Sequence, residues 1–280
     1  MPGMHGTYAA ISALQRADLL IAIGVRFDDR VTGDPATFAP EAKVIHVDVD
    51  PAEIGKVRHA DVPIVGDARR VIEQLIEAWG DREVPNREPW MEMLRRWQRE
   101  HPLRYTQDPD GPVKPQYVIE ELHRLTGGDA ILVSGVGQHQ MWASQYWKFD
   151  SPRRWINSGG LGTMGFGIPA AVGAKAGMPD ELVIAVDGDG CFQMTSQELI
   201  TAAVEGLPIK VVVFNNGVHG MVTQWQRLFY EDRFSASRLG DAVDYVKLAE
   251  AMGCHGFRAT PPDEVTPTLE KALSTNDRPV

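Results

Sequence analysis

Residues 182–216, LVIAVDGDGCFQMTSQELITAAVEGLPIKVVVFNN, decide the fold of this chain. Two apolar runs rich in β-branched residues, 182–186 and 209–214, lie on either side of a segment with helix-forming composition. This order predicts a strand–helix–strand unit of a parallel sheet. Asp189 follows the first strand and Asn216 follows the second. Both side chains are therefore expected at the carboxyl edge of the sheet, where ligands of open α/β sheets bind.

The helix of this unit is expected to begin at Thr195 and Ser196, because hydroxyl side chains can accept hydrogen bonds from the first amides of a helix. Gly206 and Pro208 predict its end. The Gly-Asp-Gly sequence at 188–190 is then interpreted as a turn between the strand and the helix.

Asp189 has three interpretations. An aspartate beside glycine is common in ordinary turns. A dinucleotide-binding G-x-G-x-x-G fingerprint is excluded, because Gln193 occupies the place of the third glycine and the carboxylate would repel phosphates. The third interpretation is a Mg²⁺ site, in which carboxylate and amide oxygens bind the cation and phosphate oxygens complete its shell. Asn216 lies 27 residues after Asp189, a suitable length for a crossover between strand ends.

The Gly-Asp-Gly and Asn-Asn sequences at this spacing resemble the fingerprint of thiamine diphosphate (ThDP) enzymes. In that family an aspartate, the second asparagine and a main-chain oxygen two residues later hold Mg²⁺ on the cofactor's diphosphate. The resemblance implies that Asp189, Asn216 and the carbonyl of Val218 are the metal ligands here.

Composition narrows the class of protein. The 280 residues are 43% hydrophobic and 24% charged, which is ordinary globular usage and enough for one large or two smaller domains. A net charge of −10 without a basic stripe argues against nucleic acid as a partner. Cys191 and Cys254 are too few for a disulfide framework or a cysteine metal site. No segment predicts a membrane span or a signal peptide, so we expect no membrane partner and a cytoplasmic protein.

Alternating strands and helices predict an α/β protein with two doubly wound parallel-sheet domains. The first domain covers residues 1–80, and the second covers residues 116–280. Residues 81–115 contain six prolines and are interpreted as a linker. The chain begins with a glycine-rich turn and ends where a further strand would begin, so we interpret it as a fragment of a longer protein.

Two segments of the first domain, FDDRVTG at 27–33 and HVDVDPAEIGK at 46–56, resemble the central domain of acetohydroxyacid (acetolactate) synthases. From the residues alone, Asp48 could hold a ribose hydroxyl and the nearby arginines a diphosphate, or these charges could form structural salt bridges. In the family this domain binds FAD, which plays a structural part because the net reaction transfers no electrons. The resemblance implies flavin contacts from Gly3, Met4, His5, Gly24, Arg26, Asp28, Arg30, Asp48, Val49, Glu53 and Asp67.

Three segments of the second domain resemble the same family: VGQHQMWASQYW at 136–147, the glycine-dense loop SGGLGTMG at 158–165 and GMVTQW at 220–225. Neutral donors at a strand end can meet phosphate oxygens, and a glycine-dense backbone can approach a ligand closely, although it could also be a flexible loop. The resemblance implies ThDP contacts from Val136, Gln138, His139, Gly162, Met164, Gly188, Asp189, Gly190, Cys191, Asn216, Val218, Gly220 and Met221.

Two side chains receive more specific roles from the resemblance. The family's residue at Met164 bends the cofactor, and the residue at Trp225 shapes the pocket for the second 2-ketoacid. An indole beside the acceptor's alkyl group favours a larger acceptor, since one methylene contributes about 1 kcal/mol. Core packing is the alternative interpretation of Trp225. His219 and Cys191 replace a commoner leucine and serine of the family, and neither change removes a metal ligand.

The resemblance implies the acetolactate synthase reaction of branched-chain amino acid biosynthesis. ThDP decarboxylates pyruvate, and the two-carbon unit joins a second 2-ketoacid, either pyruvate or 2-ketobutyrate. The family also implies a homodimer or tetramer of the full-length chain and a small regulatory subunit as a partner. Its catalytic glutamate belongs to a domain that precedes the central one. We therefore expect no catalytic residue in these 280 residues, and no activity from them alone.

Two alternatives stay open at this point. One is another ThDP enzyme of 2-ketoacids, such as a glyoxylate carboligase or a pyruvate oxidase, although Trp225 and FDDRVTG argue against it. The other is a non-catalytic module that binds ThDP without converting a substrate.

Overall fold

The computed structural model describes all 280 residues, which form two compact units, Met1–Arg104 and Tyr105–Val280. Each unit contains one parallel sheet flanked by helices. The predicted class, two parallel-sheet α/β domains, is therefore confirmed. The boundary between the units falls inside the 81–115 stretch that the sequence predicts as a linker.

The first unit has a three-stranded sheet in the order β1-β2-β3. Apolar side chains on one side of β1 and β2 pack with Phe27 and Phe38 into a small core. The strands are β1 (Leu19–Ile23), β2 (Lys43–Asp48) and β3 (Val62–Val65), and the helices are α1 (Tyr8–Gln15), α2 (Asp29–Thr32), α3 (Ala68–Trp79) and α4 (Glu88–Glu100).

Helix α4 lies within the proposed linker and packs on the first unit. Trp97 of α4 is buried, and its ring meets Tyr8 of α1 edge to face with 6.5 Å between ring centroids. Arg16 lies over the same indole. This contact makes Trp97 a packing residue.

The second unit has a four-stranded sheet in the order β5-β4-β6-β7. Its strands are β4 (Ile131–Ser134), β5 (Trp155–Asn157), β6 (Val183–Gly188) and β7 (Lys210–Phe214). Its helices are α5 (Pro115–Thr126), α6 (Gln138–Tyr146), α7 (Gly167–Gly177), α8 (Asp189–Thr195), α9 (Glu198–Val204), α10 (Gly220–Phe229), α11 (Tyr245–Ala251) and α12 (Val265–Ser274).

Successive side chains of the central strands enter opposite cores. Leu132 and Ile184 pack in one hydrophobic cluster with helix α5, whereas Val133 and Ala185 pack in the other with α7 and α9. Strands buried on both faces explain the continuous apolar runs in the sequence.

The strand order creates a crevice at the carboxyl ends of β4 and β6. From β4 the chain passes outward to β5, then returns across β4 to β6 and continues to β7. The direction of winding reverses between β4 and β6, and such a switch point is where open α/β sheets bind ligands.

The start of the helix after β6 differs from the sequence-based expectation. Gly188 is extended, with φ −94° and ψ 157°, and α8 begins at Asp189 itself. Thr195 and Ser196 lie at the end of α8, and the predicted helix that ends before Gly206 is α9, which begins at Glu198 without a side-chain cap from either residue. The Gly-Asp-Gly sequence is thus a direct strand-to-helix junction, with Asp189 as the first residue of α8.

Every helix of the structure is too short or too polar to cross a membrane.

The double-sided core gives a stability prediction for two leucines of equal size. Leu132 is fully buried in β4, whereas Leu161 is 93% exposed. We expect Leu132→Ala to lower the free energy of unfolding by about 2–5 kcal/mol, because the cavity cannot fully collapse. Leu161→Ala should change it by less than about 0.5 kcal/mol. Urea unfolding of both variants is the measurement, and equal effects would contradict the assigned core.

Candidate functional site

Asp189 links the carboxyl ends of β6 and β7. The two strands pair in register up to Gly188 and Phe214. The Gly217 amide donates to Asp189 Oδ2 at 2.6 Å, and the Gly190 amide donates to Oδ1 at 2.8 Å. Asp189 is only 2% exposed. Its carboxylate is therefore held against the backbone immediately after Asn216, as the spacing predicts.

The loop after β7 is held in place by residues further along the chain. The Val218 amide donates to Asn216 Oδ1 at 3.2 Å. Leu239 donates to the Gly217 carbonyl at 2.8 Å, and the His219 amide donates to the Ser237 carbonyl at 2.8 Å. The loop that carries Asn216 and Val218 is thus held in one conformation, and its Gly217 amide contacts Asp189.

The donors gathered here suit a small hard cation. One carboxylate, one amide oxygen and one main-chain carbonyl are the oxygen ligands that Mg²⁺ prefers, with further positions left for water or phosphate. The carboxylate is anchored by backbone amides, so it is preorganised at the edge of the sheet. The site is chemically compatible with the predicted metal.

The end of β4 brings a second group of predicted residues to the same edge. Gln138 opens helix α6, and its side chain lies against Gly220 at the start of α10, next to the amide of Asn216. Gly162 of the glycine-dense loop lies beside Val136. Three segments that are distant in sequence therefore meet near the β4–β6 crevice.

A buried polar cluster lies directly beneath this edge. His139 Nε2 is 3.3 Å from Asp187 Oδ1, and the ligand atoms of His139, Asp187 and Cys191 all lie within 4.8 Å of one another. Asp187 is fully buried and its Oδ2 has no hydrogen-bond partner in the structure. Burial, with this carboxylate nearby, raises the pKa of the Cys191 thiol to about 12. Cys191 is therefore a protonated packing group at neutral pH rather than a nucleophile.

The sequence interpretation did not single out Asp187. The sequence feature that identifies Asp187 is a charged residue at the end of an otherwise apolar strand, immediately before the Gly-Asp-Gly sequence. A buried carboxylate needs partners, so such a residue predicts a polar contact beneath the site.

The glycine-dense loop is attached to α8. The Gly165 amide donates to Cys191 Sγ at 2.9 Å, and Thr195 Oγ1 donates to the Gly165 carbonyl at 2.8 Å. The Gly162 amide donates to the Ser158 carbonyl at 3.0 Å. These contacts make 158–165 an ordered loop that ends beside the helix of Asp189.

The remaining predicted residues of this domain lie around the same edge in different settings. Met164 is half-buried in the loop, and Met221 is half-buried in the first turn of α10. Trp225, one turn further along α10, is 38% exposed and stacks on Phe229 with 5.0 Å between ring centroids. The exposure of Trp225 does not match ordinary core packing.

The flavin candidates divide between a cleft and local structural contacts. Arg26, Asp28 and Glu53 line a cavity of about 220 Å³ together with Phe27 and Lys56. Arg26 pairs with Asp28, and Lys56 pairs with Glu53 at 2.7 Å. These four charged side chains therefore form salt bridges, which was the alternative interpretation of the sequence. The salt bridges lie at the rim of the cleft.

The other flavin candidates have identifiable local surroundings. Asp67 accepts from the Arg70 amide at 3.1 Å and so caps α3. Asp48 ends β2 and accepts from the Asp50 amide, and Val49 beside it is 75% exposed. Gly24 follows β1, and Arg30 pairs with Asp29. The residues Gly3, Met4 and His5 form a short 3₁₀ turn, in which Gly3 packs against the backbone of Arg30.

Comparison with known families matches both units. The family described as "Thiamine pyrophosphate enzyme, C-terminal TPP binding domain" matches residues 135–280, and "Thiamine pyrophosphate enzyme, central domain" matches residues 1–75. The chain belongs to the thiamine pyrophosphate enzyme family. Thiamine pyrophosphate is ThDP, so the matched C-terminal domain contains the whole Asp189–Asn216 site.

Individual relatives within this family are similar along the full chain. The acetolactate synthase large subunit of Corynebacterium glutamicum is 57% identical over 286 residues, covering 100% of this chain and 46% of that protein. The acetolactate synthase of Mycobacterium avium is 58% identical, with the same coverage. The acetolactate synthase isozyme 3 large subunit of Escherichia coli K12 is 48% identical, covering 98% of this chain and 48% of that protein. The chain thus spans about half the length of these curated relatives.

The buried cluster leads to a test of packing with two glycines. A Cβ atom at Gly135 would overlap Asp187 Oδ1 and Cys191 Sγ, whereas a Cβ at Gly160 would meet nothing within 4 Å. We expect Gly135→Ala to lower the free energy of unfolding by about 1–3 kcal/mol through overpacking. Gly160→Ala should be neutral to within about 0.5 kcal/mol. Urea unfolding compares them, and a Gly135→Ala variant as stable as Gly160→Ala would refute the close packing around Asp187.

Proposed function

We propose that this chain is the central and ThDP-binding part of an acetolactate synthase, which decarboxylates pyruvate and joins the two-carbon product to a second 2-ketoacid. The observation that carries the proposal is the Asp189 carboxylate, fixed to the backbone after Asn216 at the switch point of a family-matched TPP-binding domain. The acetolactate synthase names of the relatives support this reaction over a glyoxylate carboligase or a pyruvate oxidase.

The roles that we propose for individual residues follow from where they lie in the site. Asp189, Asn216 and the Val218 carbonyl would hold Mg²⁺ against the diphosphate. Gln138 and the main-chain amide of His139 would contact the same phosphates at the start of α6, where a helix N-terminus favours an anion, while the buried His139 ring faces Asp187. Bound ThDP would supply the electron sink that decarboxylation of a 2-ketoacid requires. The protein's part is to bind and orient the cofactor and to exclude water.

The glycine-dense loop is proposed to support the cofactor from the side of α8. Its attachment through Gly165 to Cys191 and Thr195 keeps Met164 next to the edge of the sheet. A half-buried thioether there is free to pack against a ligand ring, which agrees with the cofactor-bending role that the resemblance implies. The remaining proposed ThDP contacts are Val136, Gly162, Gly188, Gly190, Cys191, Gly220 and Met221.

Flavin binding is a further part of the proposal. The cleft around Arg26 and Lys56 offers cations for a diphosphate, with Asp28 and Glu53 as hydrogen-bond acceptors at its rim. Its volume of about 220 Å³ is below the 300–1,000 Å³ typical of ligand pockets, so FAD would extend beyond it along the surface. The full-length protein is also proposed to form a homodimer or tetramer and to pair with a small regulatory subunit, as the name "large subunit" of its relatives suggests.

The metal assignment is tested by cofactor binding to this chain. We expect calorimetric titration with ThDP to show binding that requires Mg²⁺. Asp189→Asn keeps the size of the side chain but removes the charge, so it should weaken binding at least roughly 10- to 100-fold, as loss of even an outer-shell partner does.

The control for this titration is Asp180→Asn. Asp180 is exposed and lies just before β6, at the opposite end of the strand from Asp189. It should bind ThDP like the unmodified chain. Metal-independent binding, or an Asp189→Asn variant with unchanged affinity, would contradict the ligand set.

The proposed role of Trp225 is tested by acceptor preference in the full-length gene product. We expect Trp225→Leu to lower the preference for 2-ketobutyrate over pyruvate about 5- to 30-fold, because the acceptor's methylene loses its apolar contact. Trp79 is similarly exposed, 42% against 38%, and lies in the first unit, so Trp79→Leu is the matched control. Product ratios in competition assays give the result, and an unchanged ratio in Trp225→Leu would exclude this residue from the acceptor pocket.

A further inference from the structure

Two glutamines on different helices contact each other at the edge of the second sheet. Gln138 Nε2 in α6 donates to Gln224 Oε1 in α10 at 2.8 Å, across 86 residues of sequence. Both side chains are half-buried. Gln138 is one of the proposed diphosphate contacts, whereas Gln224 is not among the proposed ThDP contacts.

The surroundings of Gln138 leave its amide group little freedom. Its Oε1 lies so close to Gly220 that a Cβ atom at this position would overlap it, and Asn216 Nδ2 is next to the same glycine. The amide is therefore enclosed on its oxygen side by the start of α10 and on its nitrogen side by Gln224. A side-chain amide rotates readily about its last bond unless both ends are held in this way.

The Gln138 side chain has more N–H donors than its contact with Gln224 uses. A glutamine amide nitrogen carries two N–H donors, and Gln224 accepts only one of them. The second donor stays free for a group at the sheet edge, beside the Asn216 amide. An anionic ligand with several oxygens is the natural acceptor for it.

We propose that Gln224 is a positioning residue that orients the Gln138 amide so that its second N–H meets a phosphate oxygen of the bound diphosphate. Gln224 acts through Gln138 and does not itself contact the ligand. The inference rests on the proposed ThDP site and deepens it by assigning one residue of α10 to diphosphate binding. It also gives Gly220 a role, because a Cβ atom there would displace the Gln138 amide.

The test is a double-mutant cycle on ThDP affinity, measured by titration calorimetry of the chain with Mg²⁺ present. Leucine keeps the approximate volume of glutamine and removes its amide. We expect Gln224→Leu to weaken ThDP binding about 3- to 10-fold, the effect of one misplaced hydrogen bond. In a Gln138→Leu background the same substitution should cause no further loss, because its target is already absent.

Gln226→Leu is the matched control. Gln226 lies two residues further along α10, is half-buried, and donates to the Ser235 carbonyl at 2.9 Å rather than to α6. Its variant should bind ThDP like the unmodified chain, and all variants should keep their urea midpoints. Unchanged affinity in Gln224→Leu, or equal losses with and without Gln138, would overturn the proposal.

A ligand-free measurement separates this inference from the proposed function. In protein labelled with ¹⁵N-glutamine, Gln224→Leu should shift the Gln138 side-chain amide signal and speed its hydrogen exchange. An unaffected Gln138 signal would refute the positioning contact whatever the chain binds. If the unmodified chain fails to bind ThDP while the Gln138 signal does shift, the contact stands, and the proposed function and the diphosphate role of Gln224 both fail.

Discussion

The hydrogen bond from the Gly217 amide to Asp189 Oδ2 is the constraint on which the site depends. It joins the ends of two neighbouring parallel strands, and it does so with a carboxylate that is almost fully buried. A buried charge is costly unless it is hydrogen-bonded or bound to a cation. The two backbone amides meet part of that requirement, since each carboxylate oxygen accepts one of them and keeps a lone pair for a further partner. The arrangement favours a divalent cation with anionic oxygens beyond it.

A second layer of polar groups supports this edge from below. Asp187 and Cys191 come so close to Gly135 that a Cβ atom there would overlap both side chains, and the His139 ring packs against Gly137 and Gly188. The raised pKa of the Cys191 thiol keeps this side chain uncharged at neutral pH. The cluster ties the ends of β4 and β6 together, as Asp189 ties β6 to β7. The three strand ends at this edge of the sheet are thus linked to one another through the side chains of Asp187 and Asp189.

The sequence predicts the fold class and the central motif because both depend on local patterns. Apolar runs of strand length and the spacing of Asp189 and Asn216 identify the sheet and its carboxyl edge. Two short strands are not predicted by these patterns. Strand β3 contains Pro63, which is tolerated because β3 is an edge strand, and strand β5 has only three residues. The start of α8 at Asp189 is also missed, since glycine on both sides indicates a turn. The contact between Gln138 and Gln224 joins residues 86 positions apart, and only the packing of α6 against α10 brings them together.

The most direct test of a cation between Asp189 and the diphosphate is to detect the metal and the phosphates together. Mn²⁺ replaces Mg²⁺ at oxygen sites and is paramagnetic, so electron–nuclear double resonance of the chain with Mn²⁺ and ThDP reports whether the ion touches phosphorus-bearing ligands. We expect a ³¹P coupling of the size given by direct Mn–O–P coordination, and its loss in Asp189→Asn. Bound Mn²⁺ without ³¹P coupling, or a coupling that survives the substitution, would contradict a cation that bridges Asp189 to the diphosphate.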